Sequence, residues 1–227
     1  MPMAESRLRE CVVLVHGLGR TERSLDSLGD RLEDEGYATV RYRYHSTRAS
    51  IEQHAAELAR RLDELVPAGT SRVHFVTHSL GGIVVRQLLS ERALRLPAPL
   101  GSVVMLAPPN QGSELADALR DAGLLRPLLG PAAAELGTRE EDVPRRLGPV
   151  AFPCGVITGD LSLNPLNPWL FDGPSDGKVA VDRAKVEGMA DFLVVHHGHS
   201  FLMNADDVQV QVVRFLRTGR FDHGLPT

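Results

Sequence analysis

The sequence predicts an α/β protein with a mostly parallel central sheet of about six strands and helices on both faces. Three observations carry this. Short apolar, β-rich runs alternate with amphipathic helical stretches, the pattern of repeated strand–helix–strand units. The strand-like runs are continuously apolar, as expected where helices cover both faces of a sheet. A length of 227 residues, 43% hydrophobic and 24% charged, suits one well-filled domain spanning residues 1–227.

The first strand is "CVVLV", residues 11–15, and Leu25, Leu28 and Leu32 then recur at helical spacing until Gly36 stops the helix. The run "ATVRYRY" (38–44) is the second strand. Ser50 is placed to N-cap a helix whose apolar stripe, Ile51, Ala55, Leu58, Leu62 and Leu65, ends at Pro67 and Gly69. A third strand begins at Val73 and leads into Ser79, and a helix-like run from Ile83 to Leu89 leaves it. "GSVVMLAPP" (101–109), "CGVIT" (154–158) and "DFLVVHH" (191–197) are further strands, and "DDVQVQVVRFLRTG" is a closing helix. Residues 112–149 interrupt the alternation, with helical periodicity broken by Pro127, Gly130, Pro131 and Gly137. Such a helical insertion is either an ordinary crossover that packs on the sheet or a lid-like pocket wall. Its leucines (115, 119, 124, 125, 128 and 129) must cover the sheet or a pocket.

Composition excludes several function classes. The formal net charge is −4, and the arginines are interspersed with acids, so nucleic acid is not an expected partner. Cys11 and Cys154 each open a strand and read as buried free thiols, which favours a reducing compartment. "MPMAESRLRECVVLV" lacks the apolar core of a signal peptide, and no run approaches a membrane-spanning length. The default expectation is a cytoplasmic protein.

Chemistry concentrates at three places. In "FVTHSLGGIV", Ser79 sits on a sharp strand-to-helix turn that presents its hydroxyl at the edge of a sheet, where a nucleophile must be; the plain alternative is a serine that N-caps the helix. "HGLG" (16–19) is not a dinucleotide loop, because Glu22 stands where the third glycine would be. "VVHHGHSFL" offers His196 and His197, which continue a strand, and His199, which follows Gly198 into the loop beyond it. A metal site on His197 and His199 has no evident third ligand, so no metal and no cofactor are expected.

Taken together and in order, "VVLVHGLG", "THSLGG", "LAPPNQGSELAD" and "HHGHSFL" resemble the α/β-hydrolase superfamily, the small bacterial serine lipases and esterases above all. The resemblance runs from about Cys11 to Gly219 and implies a minimal α/β-hydrolase fold without the usual leading antiparallel hairpin. It departs from the family's G-x-S-x-G at Thr77, while Gly81 keeps the second glycine. It implies Ser79 as nucleophile, His199 as base, and the backbone N–H groups of Leu18 and Leu80 as oxyanion hole, with Gly17, His78 and Trp169 at the substrate pocket. His16 and His78 then serve structure rather than proton transfer. For the acid there are two candidates: Asp160, which directly ends a strand, and Asp176, whose "SDGKV" resembles the D-G-x-V loop of related hydrolases and lies 23 residues before His199. Asp176 is the preferred one. The implied activity is cleavage of a small acyl ester through an acyl-enzyme. The alternatives are thioesterase or acyltransferase chemistry on the same residues, or a non-catalytic binding protein that retains the fold.

Overall fold

The structure, a computed structural model, describes residues 10–91, 94–123, 129–162 and 167–224. Leu124, Leu125 and Leu128 lie outside these residues. Six strands form one parallel sheet: β1 (Cys11–Val15), β2 (Ala38–Tyr42), β3 (Val73–His78), β4 (Leu100–Leu106), β5 (Cys154–Gly159) and β6 (Asp191–Val195), in the order β2-β1-β3-β4-β5-β6. The chain moves outward from β1 to β2, then crosses back to lay β3 on the other side of β1. The crevice outside the carboxyl ends of β1 and β3 is therefore a topological switch point, where ligands bind in open α/β sheets.

Alternate residues of each strand enter opposite cores. Cys11, Val13, Val15 and Phe75 pack on one face with helices α2 (Ile51–Leu65) and α3 (Leu80–Ser90). Val12, Leu14 and Val76 pack on the other with α1 (Asp26–Asp34) and the closing helix α5 (Asp206–Thr218). Both faces are buried, which is why the strands read as unbroken apolar runs. Ser50 caps α2 through a reciprocal box with Gln53, and Ile51, Ala55, Leu58 and Leu62 are its buried stripe. Cys11 and Cys154 are free and buried, and burial pushes their thiols up to about 11 and about 12. Thiolate chemistry is thereby suppressed. Among the described residues, no helix is long and apolar enough to cross a membrane.

The strand expected to reach His197 stops at Val195, level with Gly159, the last paired residue of β5. A side chain at Gly159 would sit 2.0 Å from the His197 carbonyl oxygen, so the turn closes tightly over the end of β5. His196 and His197 thus leave the sheet and find their own acids: His196 Nδ1 lies 2.9 Å from Asp160 Oδ1, and His197 Nε2 lies 2.9 Å from both carboxylate oxygens of Asp207.

The segment after β4 is anchored at several points. It contains α4 (Glu114–Asp121) and short helical turns at Pro131–Ala134 and Val143–Arg146. Arg120 bridges Asp117 and Asp142, and Asp117 also accepts from the backbone and hydroxyl of Thr138. Arg86 of α3, 3% exposed, donates to the carbonyl and side chain of Asn110 and to the Gly148 carbonyl, tying α3 to both ends of the segment. No carboxylate accompanies it among the described ion pairs, and burial pulls its guanidinium down to about 10.

Candidate active site

Ser79 joins β3 to α3 with φ 52° and ψ −123°, and apart from Ala107 it is the only described non-glycine residue with positive φ. Such a conformation costs on the order of 1–3 kcal/mol and persists only where the surroundings enforce it. The surroundings here are backbone. A Cβ at Gly81 would lie 2.3 Å from the Val15 carbonyl oxygen, and one at Gly17 would lie 3.0 Å from Ser79 Cβ. Ser79 occupies the N-cap position of α3, yet its side chain makes no capping hydrogen bond. The plain N-cap explanation therefore does not hold. Thr77, at the position where the family has its first glycine, fits because Gly82 gives it room: a Cβ at Gly82 would come within 3.3 Å of Thr77 Oγ1.

His199 enters from the loop after β6. Its Nδ1 lies 2.7 Å from Asp176 Oδ2, with the side chains 5% and 0% exposed. The carboxylate is held in turn: Asp176 Oδ1 accepts from the backbone N–H groups of Lys178 (3.0 Å) and Val179 (2.8 Å), and the Asp176 carbonyl accepts from His199 N–H at 3.0 Å. With Nδ1–H donated to Asp176, Nε2 is the basic nitrogen. Asp160 is elsewhere. It pairs with His196 near the surface, with side chains 37% and 69% exposed.

His78 holds His199 through its backbone carbonyl. Its Nε2–H donates to the His199 carbonyl at 2.9 Å, and the two rings stand 4.9 Å apart. Burial first, and His199 second, push the His78 imidazole well below its ordinary pKa, so it is neutral and its Nδ1 carries a lone pair. The Gly17–Arg20 turn is pinned from the segment that follows β2: Tyr44 Oη donates to the His16 carbonyl at 2.7 Å, and Gly19 N–H donates to Ser46 Oγ at 3.0 Å. Leu80 opens α3, where first-turn N–H groups have no intrahelical acceptor.

These elements converge on a cavity of about 190 Å³. Leu18, His78, Ser79 and His199 line one side, and Leu115, Ala116, Leu119, Leu129, Ala133 and Leu136 of the inserted segment form an apolar wall. Pro109, Ser113, Val179 and the cations Arg20 and Lys178 complete the lining. Nothing in the sequence singled out these two cations; they lie far apart along the chain and only folding brings them together. Trp169, expected at the pocket, is not among the lining residues and is 87% exposed. It lies on a short helical turn, Asn167–Leu170, that packs against α4 and keeps the ring outside. Among the described residues no group of three or more histidines, cysteines or acids is placed to hold a metal ion.

A family model described as a domain of unknown function (DUF7379) matches residues 2–135. The chain belongs to the DUF7379 family. The matched stretch contains the Gly17 turn and Ser79, while Asp176 and His199 lie beyond it. No curated protein matches this DUF7379 chain in sequence. Solved structures do match in fold. A lipase from Bacillus licheniformis in its mature form superposes with a TM-score of 0.68 at 19% identity, covering 96% of each chain. The phospholipase PlaB from Legionella pneumophila gives 0.74 at 18% identity, covering 93% of the DUF7379 chain and 60% of PlaB. The metagenomic carboxyl esterase MGS0156 gives 0.60 at 21%, covering 87% and 67%. The six parallel strands and their helices are thus the α/β-hydrolase fold in a minimal form.

Proposed function

We propose that this DUF7379 protein is a serine hydrolase that cleaves carboxylic esters, working as a single domain with Ser79, Asp176 and His199 as its triad. One observation carries the reading: a buried Asp176–His199 pair at 2.7 Å opens onto the same cavity as a serine held at φ 52°. A structural serine needs no such backbone, and a buried imidazole paired to a carboxylate beside it is the arrangement that activates a hydroxyl. The fold neighbours, named as lipase, phospholipase and carboxyl esterase, support ester substrates.

His199 Nε2 takes the proton of Ser79 Oγ as it attacks the acyl carbon, and the negative charge moves to the carbonyl oxygen. The backbone N–H groups of Leu18 and Leu80 stabilise that oxyanion. His199 then gives the proton to the departing alcohol, leaving acyl-Ser79. Water attacks by the same route in reverse and releases the acid. Asp176 holds the Nδ1–H tautomer and stabilises the imidazolium, while His78 fixes the base loop through the His199 carbonyl. Protonated His199 cannot act as base, so turnover requires the neutral ring.

The test is a panel of p-nitrophenyl esters of rising acyl length beside an acyl-CoA and an amide, with Ser79→Ala as control. The parent turns over the esters and is labelled by a fluorophosphonate, whereas Ser79→Ala is folded, unlabelled and inactive. Equal labelling of both proteins would refute the nucleophile. An acyl-CoA cleaved faster than every oxygen ester would replace esterase by thioesterase.

A further inference from the structure

Arg20 and Lys178 both line the Ser79 cavity, and neither forms an ion pair with an acid among the described residues. They are close enough to oppose each other: Lys178 is held below its ordinary pKa by burial first and by the Arg20 charge second. Among the described residues, Asp176 is the acid whose charge favours the Lys178 ammonium, and its carboxylate already accepts from His199 and two backbone amides. The resting site therefore has two cations against one committed anion. Arg20 is partly buried and Lys178 exposed, so a negative group entering the cavity meets two cations and one anion that is already engaged.

The position of the pair says which part of a substrate that group belongs to. Arg20 Nη2 donates to the carbonyl of Ser200, the residue after the base, at 3.0 Å, and Lys178 is two residues from the acid. Both cations thus sit on the His199 side, where the leaving oxygen must be to receive its proton. The inserted segment faces the cavity with uncharged Leu115, Ala116, Leu119, Leu129, Ala133 and Leu136, which suits an acyl chain. Resting on the hydrolase reading above, we propose that Arg20 and Lys178 form an anion-binding subsite that selects acyl esters whose alcohol carries a phosphate or carboxylate. The remaining N–H donors of Arg20 and the Lys178 ammonium grip that group by charge-assisted hydrogen bonds.

The experiment compares kcat/KM of the full chain for 1-hexanoylglycerol 3-phosphate, 1-hexanoylglycerol and hexanoylcholine, three esters of one acyl group whose alcohols differ in charge. The parent prefers the phosphate ester over the neutral one by about tenfold or more, the scale of one charge-assisted contact. In Arg20→Gln/Lys178→Gln that ratio falls by a similar factor, mainly through KM, and Lys178→Glu moves the order toward hexanoylcholine. O-hexanoyl-3-hydroxybutyrate separates the anions: preference for it too assigns the pair to anions in general, and preference for the phosphate alone assigns it to phosphate. Glycerol 3-phosphate slows fluorophosphonate labelling of Ser79 in the parent and not in the double variant, a readout independent of turnover. Parent rates that ignore charge, or an unchanged ratio in variants that melt like the parent, would overturn the subsite while leaving the hydrolase intact. No labelling of Ser79 and no turnover of any ester would overturn both.

Discussion

Among the described residues, two Asp–His pairs join the segment between β5 and β6 to the loop after β6, and they differ in little but their surroundings. Asp160 and His196 meet at 2.9 Å, Asp176 and His199 at 2.7 Å. The first pair is 37% and 69% exposed; the second is 0% and 5% exposed, tied to backbone amides, and beside Ser79. Water screens the first and leaves its side chains free to reorient, so it contributes little. The second is desolvated and fixed, so its carboxylate can dictate a tautomer. Burial and fixed geometry, more than residue identity or spacing, separate the pair fit for the proposed chemistry from the surface one.

The largest expected effect tests that contrast directly. Asp176→Asn lowers kcat by three to four orders of magnitude with little change in melting temperature, on the scale of about 10⁴ for loss of a triad acid. Asp160→Asn leaves kcat within a few-fold of the parent. Steady-state kinetics of the two variants side by side decide it, and a collapse confined to Asp160→Asn would reverse the assignment.

A second prediction sets buried histidines against exposed ones. His16, His54, His74 and His78 are all pushed below the ordinary value of 6.5, with burial the first cause in each. Folded, they resist protonation; unfolded, they accept protons near 6.5, so below that pH the unfolded state binds more protons. Their contribution to stability is complete above 6.5 and is lost as the pH falls below it. Melting temperatures between about pH 7.5 and about pH 5 should decline steadily. A flat profile would mean that these rings are charged in the fold.

The smallest expected effect concerns stability. Removing the exposed pair by Asp160→Asn costs about 0–1 kcal/mol in urea unfolding, as for most surface ion pairs. A loss of several kcal/mol would show that the Asp160–His196 contact holds the β5–β6 loops together, and the contrast between the two pairs would blur.

Much was legible along the chain because it depends on neighbours in sequence. Apolar runs and helical periodicity mark all six strands and the principal helices, since burial on a fixed period leaves its trace locally. Ser79 was legible for the same reason, as the turn joins a strand to a helix and Gly81 answers a clash between adjacent segments. The ends of β2 and β6 were not, because a strand stops where its partner stops: the sequence suggested Tyr44 and His197, and pairing ends at Tyr42 and Val195. The choice between Asp160 and Asp176 rested on likeness and spacing until the fold brought one to His196 and the other to His199. The pocket was least legible. Trp169 looks like a pocket residue by composition and stands in solvent, while Arg20 and Lys178, unremarkable in the sequence, meet at the cavity. The sequence by itself determined the elements and the turn that holds the serine, because those follow from local periodicity and backbone sterics. The tertiary structure decided which acid meets His199 and which charges line the Ser79 cavity, because desolvation and Coulomb interactions depend on distance through space.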